Sequence, residues 1–308
     1  MKRSAMKVPV KGLRETIDPP DGQAFRAICW TRNLREVDSV QPDGTKKRIG
    51  GEGVHWHHHV EMELTLFTKG KGTRFVGDHI GEFDAGDLVL LGSNLPHYWH
   101  APGGNAGVSI QWHFPTAHPI WEFAELSAVR KVFGEAERGF RLKGRTAARV
   151  ATLLEDMGRM KAGERLSRLI ELFTALADMP KKDRDILSSR SFAGTGSRHQ
   201  PAIAAAVRYM VGHFREEIRI GDLLKLTGMS RPTFARQFKE HAGRTMSAFV
   251  IKLRLQAACA ELMETEKSIT EIALNCGFGE ISFFNRLFRR EKGCSPREFR
   301  KRRMSGPA

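Results

Sequence analysis

Eight of the chain's 12 histidines lie in residues 55–113. In this segment His57, His59 and Glu63 occupy alternate positions, and alternate side chains of a β-strand share one face. His97 follows a later apolar run. Imidazole and carboxylate groups can ligate zinc, iron, manganese or nickel, and they can equally hydrogen-bond a polar small molecule. The four side chains therefore predict a pocket for either a divalent metal or a small polar ligand.

Short apolar segments separated by glycines surround these residues. The runs Leu64–Thr68, Thr73–Val76 and Asp87–Leu91 each have the length of a strand, and turn residues stand between them. This pattern is typical of a small β-sandwich or barrel. We therefore expect residues 1–135 to form a β-barrel that contains the pocket.

Beyond this region the apolar period changes from about two residues to that of a helix. Two apolar stripes separated by Gly163 predict a helical hairpin within residues 136–187. The second stripe consists of Leu169, Ile170, Phe173 and Leu176. It holds more apolar surface than a hairpin packed on the barrel needs, so we predict that it forms the two-fold interface of a homodimer.

Composition restricts the partner and the compartment. The 308 residues include 50 Lys+Arg and 35 Asp+Glu, for a formal charge of +15. This excess favours a polyanionic partner, either nucleic acid or an anionic membrane surface, over the substrates of a neutral metabolic enzyme. No apolar run approaches the ~20 residues of a membrane span, the first residues lack a secretion signal, and the four cysteines are scattered. We expect a cytoplasmic protein without a membrane segment.

The C-terminal third contains an internal repeat, preceded by a Ser/Gly-rich stretch at 188–200 that predicts a flexible linker. Residues 220–250 align with residues 269–300 at an offset of 49–50 positions, which pairs glycines and phenylalanines. Each copy predicts a helix, a tight glycine turn and a second helix, which is the helix-turn-helix pattern. Thr245 caps the predicted helix that joins the copies, and its length of roughly 30 Å is close to one turn of B-DNA.

The second helix of each copy has a basic face opposite its phenylalanines. The basic residues are Arg231, Arg236 and Lys239 in the first copy, and Arg286, Arg289 and Arg290 in the second. A solvated helical bundle would explain the charge alone, but it would not require the repeated register. The repeat therefore favours a protein that inserts both helices into successive major grooves of DNA.

Residues 203–303 resemble the DNA-binding domain of the AraC/XylS-type bacterial transcription regulators, and IALNCGFGEISFFNRLFRREKGCSPREFR is close to the family signature. The resemblance implies seven helices, a bipartite site in double-stranded DNA, and contacts from the exposed faces of both recognition helices. By position, the implied contact residues are Arg231, Pro232, Thr233, Ala235 and Arg236, followed by Ser282, Phe283, Asn285 and Arg286. Glu280 stands where the family usually has a serine that caps the second recognition helix.

The N-terminal part resembles the cupin barrel. Gly51, His57, His59, Glu63 and Gly70 match the first cupin motif, and Gly86, Pro96 and His97 match part of the second. In metal-binding cupins the ligands are three histidines and one glutamate, which implies the four residues of the predicted pocket. Many regulators of the AraC/XylS type instead use a cupin-like domain to bind a small effector, often a sugar, without metal. We expect effector binding without a resident cofactor, with a divalent metal as the alternative.

These patterns predict a multidomain α+β protein that regulates transcription under the control of a small, sugar-related effector and is not an enzyme. The predicted parts are a cupin-like sensing barrel (1–135), a hairpin for dimerisation (136–187), a linker (188–200) and a double helix-turn-helix domain (201–308). Two alternatives stay open. One is a metal-dependent cupin enzyme with a DNA-binding appendage. The other, suggested by the charge of +15, is a non-specific architectural DNA binder.

Overall fold

The computed structural model describes residues 15–51, 53, 56–101, 103–192 and 199–301. Residues 193–198 of the predicted linker, and the outer ends of the first and last predicted domains, lie outside the described residues. The chain divides into two compact units, Met1–Pro201 and Ala202–Ala308. Within the described ranges, every helix falls short of the length and apolarity that crossing a bilayer requires.

The N-terminal unit is built on two antiparallel sheets. Its strands are β1 (Phe25–Trp30), β2 (Glu36–Val40), β3 (Lys46–Gly50), β4 (Met62–Lys69), β5 (Gly72–Val76), β6 (His79–Phe83), β7 (Leu88–Leu91), β8 (His97–His100), β9 (Ala106–Trp112), β10 (Phe140–Leu142) and β11 (Arg184–Ile186). The larger sheet has the order β11-β10-β7-β4-β9-β1-β2-β3, and the smaller has the order β6-β5-β8. Strands β4, β5 and β7 coincide with the three predicted runs, so the sheet-rich fold is confirmed.

The two faces of β4 serve different purposes. Met62, Leu64 and Leu66 belong to a hydrophobic core that the sheet shares with the helices of this unit. Glu63 and Thr65 lie on the opposite face, where they line a pocket. Because the side chains of a strand alternate between its two faces, the apolar residues of β4 pack in the core while its polar residues line the pocket.

Three α-helices cover the outer face of the large sheet. They are α1 (Ser127–Glu135), α2 (Gly144–Met157) and α3 (Ala162–Ala177), with short 3₁₀ segments at Pro119–Glu122, Ala124–Leu126, Ala136–Arg138 and Lys181–Asp183. Helices α2 and α3 form the predicted hairpin. Strands β10 and β11, which the sequence analysis did not predict, flank this hairpin and join the large sheet beside β7. The hairpin is therefore attached to the sheet at both of its ends.

The apolar stripe of α3 faces the sheet of its own chain. Leu169, Phe173 and Leu176 are fully buried in the core shared with β4, and Ile170 packs at its edge. The prediction that this stripe forms a dimer interface is therefore wrong for the three buried residues. The apolar outer face of the sheet must be buried, and α3 buries it. The sequence pattern of an apolar helical stripe is the same whether the stripe packs on a sheet of its own chain or on a partner chain.

The first residues of the predicted linker pack on the barrel. Phe192 is buried in a core formed by residues of both sheets. Asp78 Oδ1, between β5 and β6, accepts hydrogen bonds from Ser188 Oγ at 2.9 Å and from the Ser189 backbone N–H at 2.8 Å. Residues 188–192 are therefore attached to the N-terminal unit by packing and by hydrogen bonds.

The C-terminal unit is all-helical. Its helices are α4 (Gln200–His213), α5 (Ile220–Thr227), α6 (Arg231–Ala242), α7 (Met246–Glu264), α8 (Ile269–Asn275), α9 (Ile281–Lys292) and α10 (Pro296–Lys301). This is the number of helices that the family resemblance implied, counted over the described part of the unit. Gly228 and Gly277 end the first helix of each repeat with φ angles of 65° and 85°, a region that favours glycine.

Side-chain caps fix where three of these seven helices begin. The hydroxyl groups of Ser230, Thr245 and Ser268 each accept a hydrogen bond from the backbone N–H three residues later. Glu280 precedes α9 without a side-chain cap, as its departure from the family pattern suggested. Helix α7 has 19 residues and thus a length of about 28 Å, as predicted for the connection between the repeats.

Candidate functional site

Three histidine rings meet beside Glu63 inside the barrel. His57, His59 and His97 are buried, and each offers a ring nitrogen within 4.8 Å of the others. The prediction that His57, His59 and Glu63 lie on one strand is wrong in part, because β4 begins only at Met62. His57 is instead held by a backbone bridge to His97, with N···O distances of 3.1 and 2.9 Å. The cluster therefore depends on the pairing of two distant segments.

Backbone carbonyl groups orient two of the rings. His59 Nδ1 lies 2.9 Å from Glu61 O, and His97 Nδ1 lies 2.8 Å from Leu95 O. Because a carbonyl can only accept, each Nδ1 carries a proton. The Nε2 atoms turn to Glu63 Oε2, at 3.3 Å from His59 and 3.9 Å from His97. Among the described residues, His97 Nε2 is buried without a hydrogen-bond partner.

Burial and charge set the protonation of this cluster. Burial by itself would raise the pKa of Glu63, but the hydrogen bond with His59 and the nearby His97 hold that pKa well below its usual range. Burial opposes protonation of His59, yet the hydrogen bond to Glu63 raises the pKa of this ring. Burial, followed by the neighbouring His57, lowers the pKa of His97 well below its ordinary value. An ionised carboxylate therefore lies beside a neutral imidazole whose lone pair points into the cluster.

Glu63 also belongs to a network of buried polar side chains. Gln111 Nε2 donates to Glu63 Oε2 at 2.7 Å, and Thr65 Oγ1 donates to Glu63 Oε1 at 2.5 Å. Arg26 Nε donates to Gln111 Oε1 at 2.7 Å, and Arg26 Nη2 donates to Glu15 Oε1 at 2.9 Å. Buried hydrogen bonds of this kind strengthen one another and hold the pocket wall in one arrangement.

The rest of the pocket wall is aromatic and aliphatic. It is formed by Ile28, Trp30, Leu34, Val37 and Trp99. The space between these residues opens in part to solvent. Trp99 Nε1–H is buried and has no hydrogen-bond partner within the described part of the chain. An aromatic wall opposite convergent polar groups suits a small polyhydroxylated ligand, which can stack one face and hydrogen-bond the other.

Glu15, Arg26 and Gln111 are not among the site residues predicted from sequence. No motif surrounds them, and they are far apart along the chain. Arg26 and Gln111 are direct neighbours on β1 and β9, where the two residues are paired in the ladder. The signal that would have identified them is the strand register, which the sequence alone does not provide.

A second candidate site lies on the recognition helices α6 and α9. The predicted polar residues with exposed side chains are Arg231, Arg236 and Lys239 on α6, and Ser282, Asn285, Arg286, Arg289 and Arg290 on α9. Thr233 is half-buried, and its Oγ1 lies 2.9 Å from Ser230 Oγ at the start of α6. The opposite face of each helix is buried through Phe234 and Phe238, or Phe284 and Phe288. Each helix therefore presents its polar side chains to solvent over a rigid aromatic base.

Helix α9 borders a groove that its neighbours complete. Asn285, Arg286 and Arg289 form one wall, and the remaining lining residues are Ile269, Thr270, Ile281, Ser295, Pro296 and Arg297. The sequence analysis did not identify Thr270 and Arg297, because neither lies on a recognition helix. Arginine side chains and hydroxyl groups are among the groups that contact the DNA backbone. The groove thus extends the basic surface of α9 beyond the helix itself.

Comparisons with known proteins cover both units. The helix-turn-helix domain family matches residues 223–302. The HTH-type transcriptional activator RhaS of Enterobacter sp. (strain 638) is 25% identical over 268 residues, which is 85% of this chain and 93% of that protein. The activator of the same name from Salmonella arizonae is 26% identical over 276 residues, which is 86% of this chain and 94% of that protein.

A solved structure matches the C-terminal unit. It is a transcriptional regulator with an AraC-type DNA-binding domain from Chromobacterium violaceum, 33% identical over 35% of this chain and 96% of that chain, with a TM-score of 0.33. The curated activators extend the similarity over the N-terminal unit as well. The helix-turn-helix match covers both repeats, and the similarity to the curated proteins covers both units, so the chain is similar over nearly its full length to HTH-type transcriptional activators.

Proposed function

We propose that this protein regulates transcription by placing α6 and α9 in successive major grooves of one DNA site, under the control of a small, sugar-related effector bound in the barrel pocket. The observation that carries this proposal is the duplicated helix-turn-helix unit, in which equivalent arginines, Arg236 and Arg286, lie on the exposed faces of both recognition helices. A protein that only needed positive charge would not require two such helices in the same register.

The dimensions of the connection support two contacts on one face of the duplex. Helix α7 is about 28 Å long, and successive major grooves lie roughly 34 Å apart. In this arrangement Arg236 and Arg286 contact guanine edges, while Thr233, Ser282 and Asn285 are within reach of neighbouring bases or sugars. The remaining basic residues of the two helices contact phosphates; these are Arg231, Lys239, Arg289 and Arg290.

Selection of DNA from a random pool by the full-length protein tests this function. We expect the selected sequence to contain two separated half-sites and to bind on the order of 10³-fold more tightly than a scrambled control. Both affinities should fall steeply with salt, because phosphate contacts release counterions. Equal affinity for the selected and scrambled DNA would overturn the proposal and support an architectural DNA binder.

The barrel pocket supports the effector part of the proposal. Its polar network, which ends at Glu63 and Gln111, faces the aromatic wall at Trp99. Neutral pentoses and hexoses are the probes we choose, with thermal unfolding and DNA affinity as readouts. A sugar that raises the melting temperature should also change the affinity for DNA, and Glu63→Gln should remove that change. If Glu63→Gln preserved the response, the pocket would not be the effector site.

We infer further that the histidine cluster can hold a divalent cation. The expectation from sequence was no resident cofactor, but the unpartnered Nε2 of His97 fits a ligand set of three imidazoles, and the Glu63 carboxylate lies beside two of them. A bound metal would supply a Lewis acid for a hydroxyl group of the effector. Elemental analysis of untagged protein prepared without chelator should find near one metal per chain, and His97→Ala should lose it. Essentially no metal in the unmodified protein would overturn this inference.

The same four residues are what a metal-dependent cupin enzyme would use. The curated relatives are HTH-type transcriptional activators, and we propose that this protein likewise acts by binding and not by turnover. Incubating the metal-loaded protein with the stabilising sugar distinguishes the two functions. We expect the sugar to be recovered unchanged, whereas conversion that His97→Ala abolishes would establish the enzyme.

We also propose that the protein acts as a homodimer in the cytoplasm, where its DNA partner would lie. The surface that α3 leaves outside the core includes Leu166, which is 49% exposed, and the half-buried Ile170 one turn further on. Sedimentation at micromolar concentration should give a dimer, and Leu166→Glu should give monomers, whereas Ser167→Glu on the same helix should not. A monomer for the unmodified protein would contradict this assembly.

A further inference from the structure

Phe283 is the exposed aromatic residue of recognition helix α9. Its side chain is 37% exposed, whereas Phe284 and Phe288 on the same helix are fully buried. Single exposed apolar residues are common on protein surfaces. This one, however, lies between Ser282 and Asn285, among polar side chains that the proposed function directs to base edges.

The ring of Phe283 is held between a core residue and a base-reading residue. Its centroid lies 6.5 Å from that of Phe278, which is buried. On the other side, the guanidinium carbon of Arg286 lies 5.7 Å from the centroid of Phe283. A cation at this distance from an aromatic face is attracted to it. The ring is therefore anchored to the domain core, and it restricts the directions in which the guanidinium can point.

We propose that Phe283 reads the 5-methyl group of a thymine that neighbours the guanine bound by Arg286; this rests on the proposed function. The thymine methyl is the apolar group that the major groove offers, and phenylalanine is one of the side chains that contact it. An arginine binds guanine through both O6 and N7. Because the ring and the guanidinium are in contact, the bases that they read must be adjacent.

The first recognition helix lacks this pair. At the position equivalent to Phe283, α6 has Thr233, which is half-buried and engaged with Ser230 at the helix cap. Arg236 therefore has no aromatic ring at the equivalent place. The two half-sites should therefore differ. We expect the binding affinity to depend on a thymine methyl group, through an aromatic contact, only in the half-site that α9 binds.

Replacement of thymine by deoxyuridine tests the inference, because it removes one methyl group and leaves base pairing intact. The full-length protein is first used to select its DNA site, and each thymine of that site is then replaced in turn. One replacement, next to a guanine in the α9 half-site, should weaken binding about fourfold, the factor expected for losing one buried methyl group. If no replacement weakened binding, the inference would be overturned while the selected site still supported the proposed function. A pool that enriched no sequence would overturn both.

A double-mutant cycle assigns the methyl contact to Phe283. In Phe283→Ala, the thymine and deoxyuridine sites should bind equally well, and preference for the neighbouring guanine should fall as Arg286 loses its support. Leu274→Ala is the matched control, since Leu274 is 56% exposed on α8 and does not line the groove beside α9, and this variant should keep the full fourfold effect. A deoxyuridine penalty that persisted in Phe283→Ala would overturn the assignment.

Discussion

The barrel pocket and the recognition helices both carry polar groups, but those of the pocket are buried and those of the helices are exposed. In the pocket, Glu63, Gln111 and Arg26 are buried and hydrogen-bonded to one another. On the recognition helices, Arg236 and Arg286 are exposed above an aromatic core. When a side chain is removed, a buried polar group that was bonded to it is left without a hydrogen-bond partner, whereas an exposed polar group can bond to water instead. The difference implies that function and stability are coupled in the pocket and separable on the helices.

Glu63→Ala should show the largest effect. It removes the acceptor of Gln111 and of Thr65 and the charge partner of His59, so buried groups remain without partners. We expect the free energy of unfolding of the N-terminal unit to fall by about 3–5 kcal/mol. Denaturant unfolding followed by tryptophan fluorescence measures it. Arg286→Ala serves as the exposed counterpart and should change stability by less than about 0.5 kcal/mol. Equal losses in both variants would break the comparison.

Arg286→Ala should instead affect DNA binding. Its guanidinium lies in the groove beside α9 and is exposed, so its loss removes a base contact without disturbing the core. Affinity for the selected DNA should fall by about 1–3 kcal/mol. Fluorescence anisotropy with labelled DNA measures this change, and the melting temperature of the free protein should stay the same. A large loss of stability with unchanged affinity would show that Arg286 is structural.

Lys239→Ala should have a smaller and sequence-independent effect. Lys239 lies in the last turns of α6, beyond the residues assigned to base edges. Loss of one phosphate contact should weaken binding to selected and scrambled DNA alike. It should also reduce the steepness of log affinity against log salt concentration by about one. The slope of log affinity against log salt measures it. A change in sequence preference would mean that Lys239 contacts a base.

The smallest expected effect is a pH dependence in the C-terminal unit. Burial would raise the pKa of Glu261, but its ion pairs with Arg215 at 2.8 Å and Lys267 at 3.3 Å lower it below the model-compound value of 4.5. The unfolded chain therefore binds a proton first as pH falls, so the contribution is complete above pH 4.5 and is lost below it. Glu261→Gln should flatten this part of the stability curve by less than about 1 kcal/mol. An unchanged dependence of stability on pH would mean that the two ion pairs of Glu261 contribute nothing to the stability of the folded state.

The sequence predicted local features well and long-range ones poorly. The repeat, the cap at Thr245 and the length of α7 follow from short-range rules, and the structure confirms them. The alternation along β4 was also correct, because it depends only on strand geometry. Thr270 and Arg297 were missed beside α9 because they join the groove only through the packing of neighbouring helices.

Long-range pairing explains the errors in the N-terminal unit. Arg26 and Gln111 meet only through the register of β1 and β9, and His57 reaches His97 only through a bridge between distant segments. The stripe containing Phe173 was assigned to a partner because β10 and β11, which attach the hairpin to the sheet, are three-residue strands without a pattern of their own. Periodicity identifies an apolar face but does not say which surface covers it.

The proposed function requires that the two recognition helices bind separate halves of one DNA site. The most direct measurement is the affinity of the full-length protein, Arg236→Ala and Arg286→Ala for the selected site and for two versions in which one half is scrambled. We expect the unmodified protein to lose affinity when either half is scrambled, and we expect each variant to become insensitive to scrambling of one half, a different half for each. If both variants became insensitive to the same half, or if each kept its sensitivity to both, the bipartite assignment of α6 and α9 would be contradicted.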